Sequence, residues 1–340
     1  MNRSTAILTA CALALAAVLP SGQATGAEAR PAAAFDIQGH RGARGLRPEN
    51  TLAGFGHALE IGVTTLELDV GVTKDGVVVV SHDSVLNPDL TRGPDGKYLD
   101  VAGPALVDLT YEELRQYDVG RIKPGSAYAA AFPEQQPVDG ERIPKLVDVF
   151  ALVEKSGNRE VRFNVETKLE PMRPERTLSP LAFARALAAA IEGAGMASRT
   201  SVQSFDWRTL RLLQQLAPEI ALVALTDQQP DEDTMEVGKP GASPWLGELD
   251  VDDYGGSVPK LVHALGARTW SPHALDLTPG AIIEAHSLGL DVIPWTVNDP
   301  KDMERAIAAG VDGLITDYPD RLRALLESKG MALPKPTPTQ

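Results

Sequence analysis

Short runs of apolar, largely β-branched residues alternate along the chain with amphipathic segments that carry their own start and stop signals. Nine of these runs read as strands: residues 35–38, 64–72, 77–81, 161–166, 201–205, 220–225, 268–271, 291–296 and 313–316. The intervening pattern predicts a helix over 50–61 stopped by Gly62, and another over 180–191 with Ser179 as N-cap and Pro180 in the first turn. A third runs from Asp206 through Leu210, Leu213 and Leu216, and a fourth lies between Asp299-Pro300 and Gly310. Alternating β and α argues for a parallel sheet with helices outside. Repeated this often, it argues for the closed α/β form, a (β/α)8 TIM-type barrel, whose usual size is ~250 residues plus insertions. No fixed-period repeat is visible, which weighs against a solenoid or propeller.

Two of the nine runs cannot be ordinary barrel neighbours. Only Thr73-Lys74-Asp75-Gly76 separates 64–72 from 77–81. A parallel crossover needs about a dozen residues or more, so this pair is a hairpin. Nine runs then compete for eight places, and one strand is expected to be antiparallel or off the ring. The hairpin returns Ser81-His82-Asp83 to the end of the sheet that carries Glu67 and Asp69. Two further segments interrupt the alternation. Residues 84–145, rich in Pro, Gly and Asp with one helical stretch near 109–116, read as a small inserted subdomain. Residues 226–257 form an acidic loop with nine Asp/Glu against one lysine, Lys239. Both follow strand ends, where barrel enzymes carry the loops that shape substrate sites.

The ends of the chain carry different signals. Arg3, the apolar run 6–19 and Ala27-Glu28-Ala29 read as a secretory leader over 1–29, cleaved near Ala29, which implies a secreted or periplasmic protein. The apolar run is too short for a membrane span. Leu8-Thr9-Ala10-Cys11 resembles a lipoprotein box, but it sits early and apolar sequence continues beyond Cys11, so ordinary cleavage is expected. Cleavage removes the only cysteine, leaving neither disulfide nor thiolate chemistry in a domain of residues 30–325. Residues 326–340, ending in a Pro/Thr segment, are expected to be a flexible tail.

Composition narrows the function classes. Of 340 residues 43% are hydrophobic, which excludes disorder as the main state. The excess of 46 Asp+Glu over 32 Lys+Arg, a net charge of −14, argues against duplex nucleic acid as a partner. No stable membrane insertion is expected. An anionic substrate would need a local reversal of this global field.

The candidate chemistry lies at strand ends. His40-Arg41-Gly42-Ala43 follows the first strand, and a His-Arg pair beside glycines suits a phosphate, with the Arg fork on the oxygens and the His moving a proton. In Leu66-Glu67-Leu68-Asp69-Val70 a period of 2 puts Glu67 and Asp69 on one face. Two adjacent carboxylates on a packed strand are costly unless a cation compensates them. Asn164-Val165-Glu166-Thr167-Lys168 repeats the alternation and adds Glu166 and Lys168. Three carboxylates without cysteine or paired histidine favour an oxygen-seeking cation, Ca²⁺ or Mg²⁺, over Zn²⁺. The stretch 250–261 is no EF-hand loop, because its twelfth position is Leu261 rather than Glu. His82, at the end of the returning hairpin strand, supplies a second imidazole. Two histidines flanking a cation-held phosphate match the needs of acid–base phosphodiester cleavage. Trp295 would place a flat apolar face at the mouth, or else pack in the core. His57, His263, His273 and His286 have no comparable company.

In order along the chain, these segments resemble the glycerophosphodiester phosphodiesterase family. The residues that carry the likeness are His40-Arg41-Gly42, Pro48-Glu49-Asn50-Thr51, Glu67-Leu68-Asp69-Val70, Thr73-Lys74-Asp75-Gly76, His82-Asp83, Glu166-Thr167-Lys168, Gln203-Ser204-Phe205-Asp206, Trp295-Thr296-Val297-Asn298 and Asp312-Gly313-Leu314-Ile315-Thr316-Asp317. Each fragment alone is weak, and the ordered set is specific. The resemblance implies a barrel with an insertion after His82, a divalent metal on Glu67, Asp69 and Glu166, His40 and His82 as the acid/base pair, and Arg41 and Lys168 on the phosphate. It implies a small-molecule glycerophosphodiester substrate, cut to glycerol 3-phosphate and an alcohol. Two rivals stand beside it. A phosphoinositide- or sphingomyelinase D-type phospholipase would want a basic membrane-facing patch, which this charge disfavours. A non-catalytic phosphodiester-binding protein would have no need of both histidines and all three carboxylates.

Overall fold

Leu66, Leu68 and Val70 are fully buried, and so are Glu67 and Asp69 between them, so this strand is covered on both faces. That is the environment of a parallel barrel strand. The computed structural model describes residues 34–339, and the leader with Cys11 lies outside the described residues. Nine strands form one sheet: β1 (Asp36–Gly39), β2 (Thr65–Val72), β3 (Val78–Val80), β4 (Arg162–Thr167), β5 (Thr200–Ser204), β6 (Ala221–Thr226), β7 (Thr269–Pro272), β8 (Asp291–Val292) and β9 (Gly313–Thr316). Eight of them run in parallel, in the order β8-β7-β6-β5-β4-β2-β1-β9. Backbone bonds from Asp312 to Val292 (2.9 Å), Ile315 to Pro294 (3.0 Å) and Val297 to Ile315 (3.0 Å) span the gap between β8 and β9. The expected (β/α)8 barrel is therefore present.

The ninth run is the hairpin partner. β3 pairs antiparallel with β2, Val70 opposite Val80, and lies off the ring. Its alternation divides two cores. Val78 and Val80 join the main core, while Val79 packs with Leu86, Leu106, Leu114 and Ile143 of the inserted segment. The insertion carries two short helices, Tyr111–Leu114 and Ala127–Ala131. A longer helix, Leu146–Ser156, follows it and sets Phe150 edge-on to Phe163 of β4 at 4.7 Å.

The outer faces of the strands meet the helices in one continuous core that includes Ile37, Leu66, Phe163, Phe55, Phe183 and Leu210. The helices begin where capping chemistry marks them. Ser179 accepts from Ala182 N–H ahead of Pro180–Gly193, and Asp206 accepts from Arg208 N–H ahead of Trp207–Leu216. Two expectations are corrected. The strand read over 291–296 is continuous only over Asp291–Val292, because Pro294 has no N–H to give; Ile293 N–H still donates to Trp270 O (3.0 Å), and beyond the proline Trp295 bridges to His273. The Pro/Thr segment does not hang free. Thr337 N–H donates to Leu59 O (2.8 Å), Asn158 Nδ2 donates to Thr337 Oγ1 (2.9 Å), and Arg323 Nη1 donates to Pro334 O (2.7 Å).

Candidate active site

The C-terminal ends of β1, β2 and β4 converge on one polar cluster, the end at which barrel folds carry their chemistry. Just past β1 the chain turns back on itself. Arg41 takes a left-handed conformation (φ 50°), and Gly42 (φ 88°) donates from N–H to Gly39 O at 3.1 Å. A left-handed backbone costs a non-glycine residue about 1–2 kcal/mol. What it achieves here is a 2.7 Å hydrogen bond from Arg41 N–H to Glu67 Oε2. A Cβ on Gly39 would sit 2.1 Å from Gly42 O, so the turn requires glycine at that position.

Glu67, Asp69 and Glu166 are all buried and offer oxygens within 4.8 Å of one another. Each is held differently. Glu67 Oε1 accepts from Gln203 Nε2 at 2.7 Å, within a layer of buried amides in which Asn164 Nδ2 donates to both Gln38 and Gln203. Asp69 Oδ2 accepts from Asn50 Nδ2 at 2.9 Å, and Arg41 Nε lies 3.3 Å from the same oxygen. Glu166 Oε1 accepts from Lys168 Nζ at 2.6 Å. The electrostatics follow from the neighbours. Burial, then Asp69 and Glu166, push Glu67 well above the usual carboxylate range. Burial also pushes Glu166 up to about 7, against the pull of Lys168. Burial would raise Asp69 too, but Arg41, with His82 and Lys168, holds it well below. The trio is thus an acidic cluster only partly compensated by protein cations.

That imbalance bears on whether a divalent cation fits. Asp69 Oδ1 is buried with no hydrogen-bond partner, and the nearest ammonium, Lys168 Nζ, is 3.8 Å away. An orphaned carboxylate oxygen facing two further carboxylates is a donor set for a hard cation. The residues therefore fit a Ca²⁺ or Mg²⁺ ion; the chemistry of the donors does not choose between the two.

Both histidines are oriented by an aspartate. His40 Nδ1 is 2.7 Å from Asp317 Oδ1, and its Nε2 is 3.9 Å from Glu67 Oε2. Asp317 also binds Arg44 (2.8 and 3.0 Å) and Asn298 Nδ2 (2.7 Å). Burial and then Arg44 lower the His40 imidazole to about 4, with Asp317 opposing. His82 Nδ1 pairs with Asp83 Oδ1 at 2.8 Å. Burial, followed by Arg41 and Lys168, lowers His82 as well. With the carboxylates accepting at Nδ1, each ring carries its exchangeable lone pair on Nε2. The hairpin register brings His82 here, since Ser81 N–H donates to Asp69 O at 2.9 Å.

The remaining expected residues take distinct places. Arg41 is 8% exposed, and its guanidinium is already engaged by Glu49 Oε1 at 2.8 Å as well as by Asp69. Lys168 lies between Glu166 and Asp69. Trp295 donates its indole N–H to Ser271 O (3.1 Å) and, with His82, Glu166 and Lys168, lines a cavity of about 780 Å³. Part of the acidic loop lines the same cavity, including Asp231 and Glu232. Sequence reading assigned no role to Asp317, Asn50, Gln203, Glu49 or Tyr128. Tyr128, from the insertion, donates to Glu49 and so braces Arg41 from outside the barrel. The usable signal was that Asp317 and Gln203 sit at or just beyond C-terminal strand ends. Asp227, His273 and Asp276 also approach one another, but Gln228 and Gln229 supply hydrogen bonds to both aspartates.

Residues 40–321 match the model of the glycerophosphoryl diester phosphodiesterase family. A glycerophosphodiester phosphodiesterase of Caldanaerobacter subterraneus subsp. tengcongensis is 32% identical over 86% of this chain and 97% of its own. A crystal structure from Silicibacter pomeroyi, assigned to the glycerophosphoryl diester phosphodiesterases, superposes with a TM-score of 0.78 at 34% identity, over 88% of this chain and 95% of the other. An Oleispira antarctica phosphodiesterase solved with the product sn-glycerol-3-phosphate shares the fold, with a TM-score of 0.63 at 20% identity over 86% of this chain and 97% of that one.

Proposed function

Because the chain belongs to the glycerophosphoryl diester phosphodiesterase family, we propose that it hydrolyses glycerophosphodiesters to glycerol 3-phosphate and an alcohol. The observation that carries this reading is the buried trio of Glu67, Asp69 and Glu166 beside two aspartate-anchored histidines, all at the C-terminal end of the barrel. A divalent cation held by the trio would neutralise a phosphate oxygen and lower the pKa of a bound hydroxyl. Lys168, beside Glu166, adds positive charge where the phosphoryl group lies. Arg41 keeps Asp69 ionised and, through its backbone, aligns Glu67.

In the reaction a new P–O bond forms from the attacking oxygen, of water or of the substrate's own glycerol hydroxyl, and the P–O bond to the alcohol breaks. One imidazole Nε2 accepts the proton of the nucleophile, and the other supplies a proton to the leaving alkoxide. If the glycerol hydroxyl attacks, the resulting cyclic phosphate is opened by water with the two roles exchanged. The expected leader places this activity outside the cytoplasm.

Phosphorus NMR on purified protein tests the proposal, with glycerophosphocholine as substrate and Ca²⁺, Mg²⁺ or Mn²⁺ added after chelation. Conversion to glycerol 3-phosphate is expected, and no consumption with any of the three ions would overturn the reading. His40→Ala, His82→Ala and Glu67→Ala should each lower turnover by about 100-fold or more. His57→Ala should leave it unchanged, since among the described residues that ring pairs with Glu60 alone, on an outer helix.

A further inference from the structure

Below the carboxylate trio, the inner faces of the strands carry polar residues where a further apolar layer would be expected. Asp36 and Gln38 lie on the face of β1 opposite Ile37, and Asp36, Gln38, Asn164 and Gln203 are all buried. Together they form a continuous hydrogen-bonded chain that ends on Glu67. Gln38 Nε2 donates to Asp36 Oδ2 at 3.1 Å. Asn164 Nδ2 donates to Gln38 Oε1 at 2.9 Å and to Gln203 Oε1 at 2.8 Å. Gln203 Nε2 in turn donates to Glu67 Oε1 at 2.7 Å. At the other end Asp36 accepts from Thr65 Oγ1 (2.7 Å) and pairs with Arg162 Nη2 (2.9 Å). Asp36 and Arg162 are the first residues of β1 and β4, so the chain starts at the end of the barrel away from the site.

The order of donors along this chain follows from its two ends. Asp36, paired with a guanidinium, and Glu67, in the ionised form that a cation binds, can only accept. A run of amides between two acceptors needs one link that donates in both directions. A primary amide nitrogen has two N–H bonds, and Asn164 Nδ2 is that link. Its own Oδ1 is turned aside and accepts from Ser201 Oγ at 3.0 Å. Each glutamine then has its oxygen toward Asn164 and its nitrogen toward a carboxylate. Turning any one amide over would set oxygen against oxygen or nitrogen against nitrogen, which burial penalises.

We infer that Asp36, Gln38 and Asn164 are positioning residues for Glu67, fixing from the far end of the barrel the N–H that Gln203 presents to the cation site. The inference rests on the proposed cation-dependent hydrolysis and concerns how one of its carboxylates is aimed. Glu67 takes its hydrogen bonds from Arg41 N–H and Gln203 Nε2. With the Gln203 oxygen turned toward it instead, repulsion would swing the carboxylate away from Asp69 and Glu166. Asp36 lines no part of the cavity that holds His82, Glu166 and Lys168, so its hold on the site passes along the chain.

Calorimetric titration with Ca²⁺ and Mg²⁺ after chelation tests this on the wild type and three variants. Asp36→Asn allows residue 36 to donate to Gln38 and so admits the reversed order. Gln38→Met nearly conserves volume and cuts the chain without changing charge. Each should weaken cation binding by about tenfold. Thr200→Val removes a buried hydroxyl that donates to Met196 O (2.9 Å) at the same end of the barrel but outside the chain, and should leave the affinity as it was. Unchanged affinity in both chain variants, or an equal loss in Thr200→Val, overturns the inference while the cation site stands. No binding of either ion by the wild type overturns the cation site and the inference with it. Side-chain amide NMR of the wild type needs no variant to fold. On addition of the cation the signals of Gln38 and Asn164 should shift together with those of Gln203, because the bonds of a chain polarise one another. A shift confined to Gln203 overturns the inference.

Discussion

Among the three carboxylates of the cluster, Glu67 bears the largest cost. Asp69 has Arg41 and Lys168 within 4 Å, and Glu166 has Lys168, whereas Glu67 is held by a backbone N–H and a neutral amide. Burial and two like-charged neighbours therefore favour its protonated form, and Glu166 is pushed up to about 7 by the same physics. A cation must displace those protons. Binding of Ca²⁺ or Mg²⁺ should accordingly release protons near neutral pH, and its affinity should rise as pH increases through about 7. The sign follows from both pKa values being raised, because the free site holds protons that the loaded site cannot. Calorimetric titrations in two buffers of different ionisation enthalpy would measure the release, and identical heats in both would refute it. The same residues show what was readable beforehand. Glu67 and Asp69 were legible as a pair because a period of 2 admits no other placement, but the partner that each one finds was not.

At the scale of elements, the site is an arrangement of strand ends. β1 presents His40, β2 presents Glu67 and Asp69, β4 presents Glu166, and β9 is followed by Asp317, which orients His40 across 277 residues of sequence. The off-ring β3 contributes His82 only because the hairpin folds back level with Asp69. Asp317 is a positioning residue. Its carboxylate accepts at His40 Nδ1 and also neutralises the partly buried Arg44. Asp317→Asn can present an N–H to that ring nitrogen, which moves the proton to Nε2 and removes the free lone pair. Turnover should fall by about 10²–10⁴-fold. Leaving Arg44 unpaired should cost about 3–5 kcal/mol of stability. Kinetics across pH together with urea unfolding would separate the two effects, and a variant with wild-type kcat and pH profile would exclude the role. The hairpin could be read from its four-residue connection alone. The shortening of β8 could also have been read, since Pro294 lies inside the run. The helix Leu146–Ser156 was passed over because it follows directly on an irregular, Pro- and Gly-rich insertion.

For the molecule as a whole, the first and last strands of the barrel lie side by side. β1 and β9 pair in register over Asp36–Gly39 and Gly313–Thr316, and the segment beyond the last helix, Pro319–Ser328, then runs back along the outer layer. Met331 and Leu333 pack against the main core, and Thr337 bonds to Leu59 O on the first helix. Removal of residues 331–340 should therefore destabilise the protein, by about 2–4 kcal/mol from the two apolar side chains and the lost hydrogen bonds. A truncated chain with an unchanged unfolding midpoint in urea would show that the segment contributes nothing. Its composition suggested a frayed end, because Pro and Thr are poor helix and core residues. Its order comes instead from hydrogen bonds to Leu59, Asn158 and Arg323, residues that no local pattern connects with it.

The alternation of strand and helix, the hairpin that breaks it, and the side chains that lie at strand ends were all legible along the chain, because these follow from period, capping and connection length, all local to a few residues. Which of those ends meet emerges with the folded barrel, and with them come the pairing of His40 with Asp317, the bracing of Arg41 by Glu49 and Tyr128, and the orphaned oxygen of Asp69. Folding also sets what the acidic loop faces. Charge can be counted along a chain, but its effect depends on distance and burial, and those exist only once the barrel has closed.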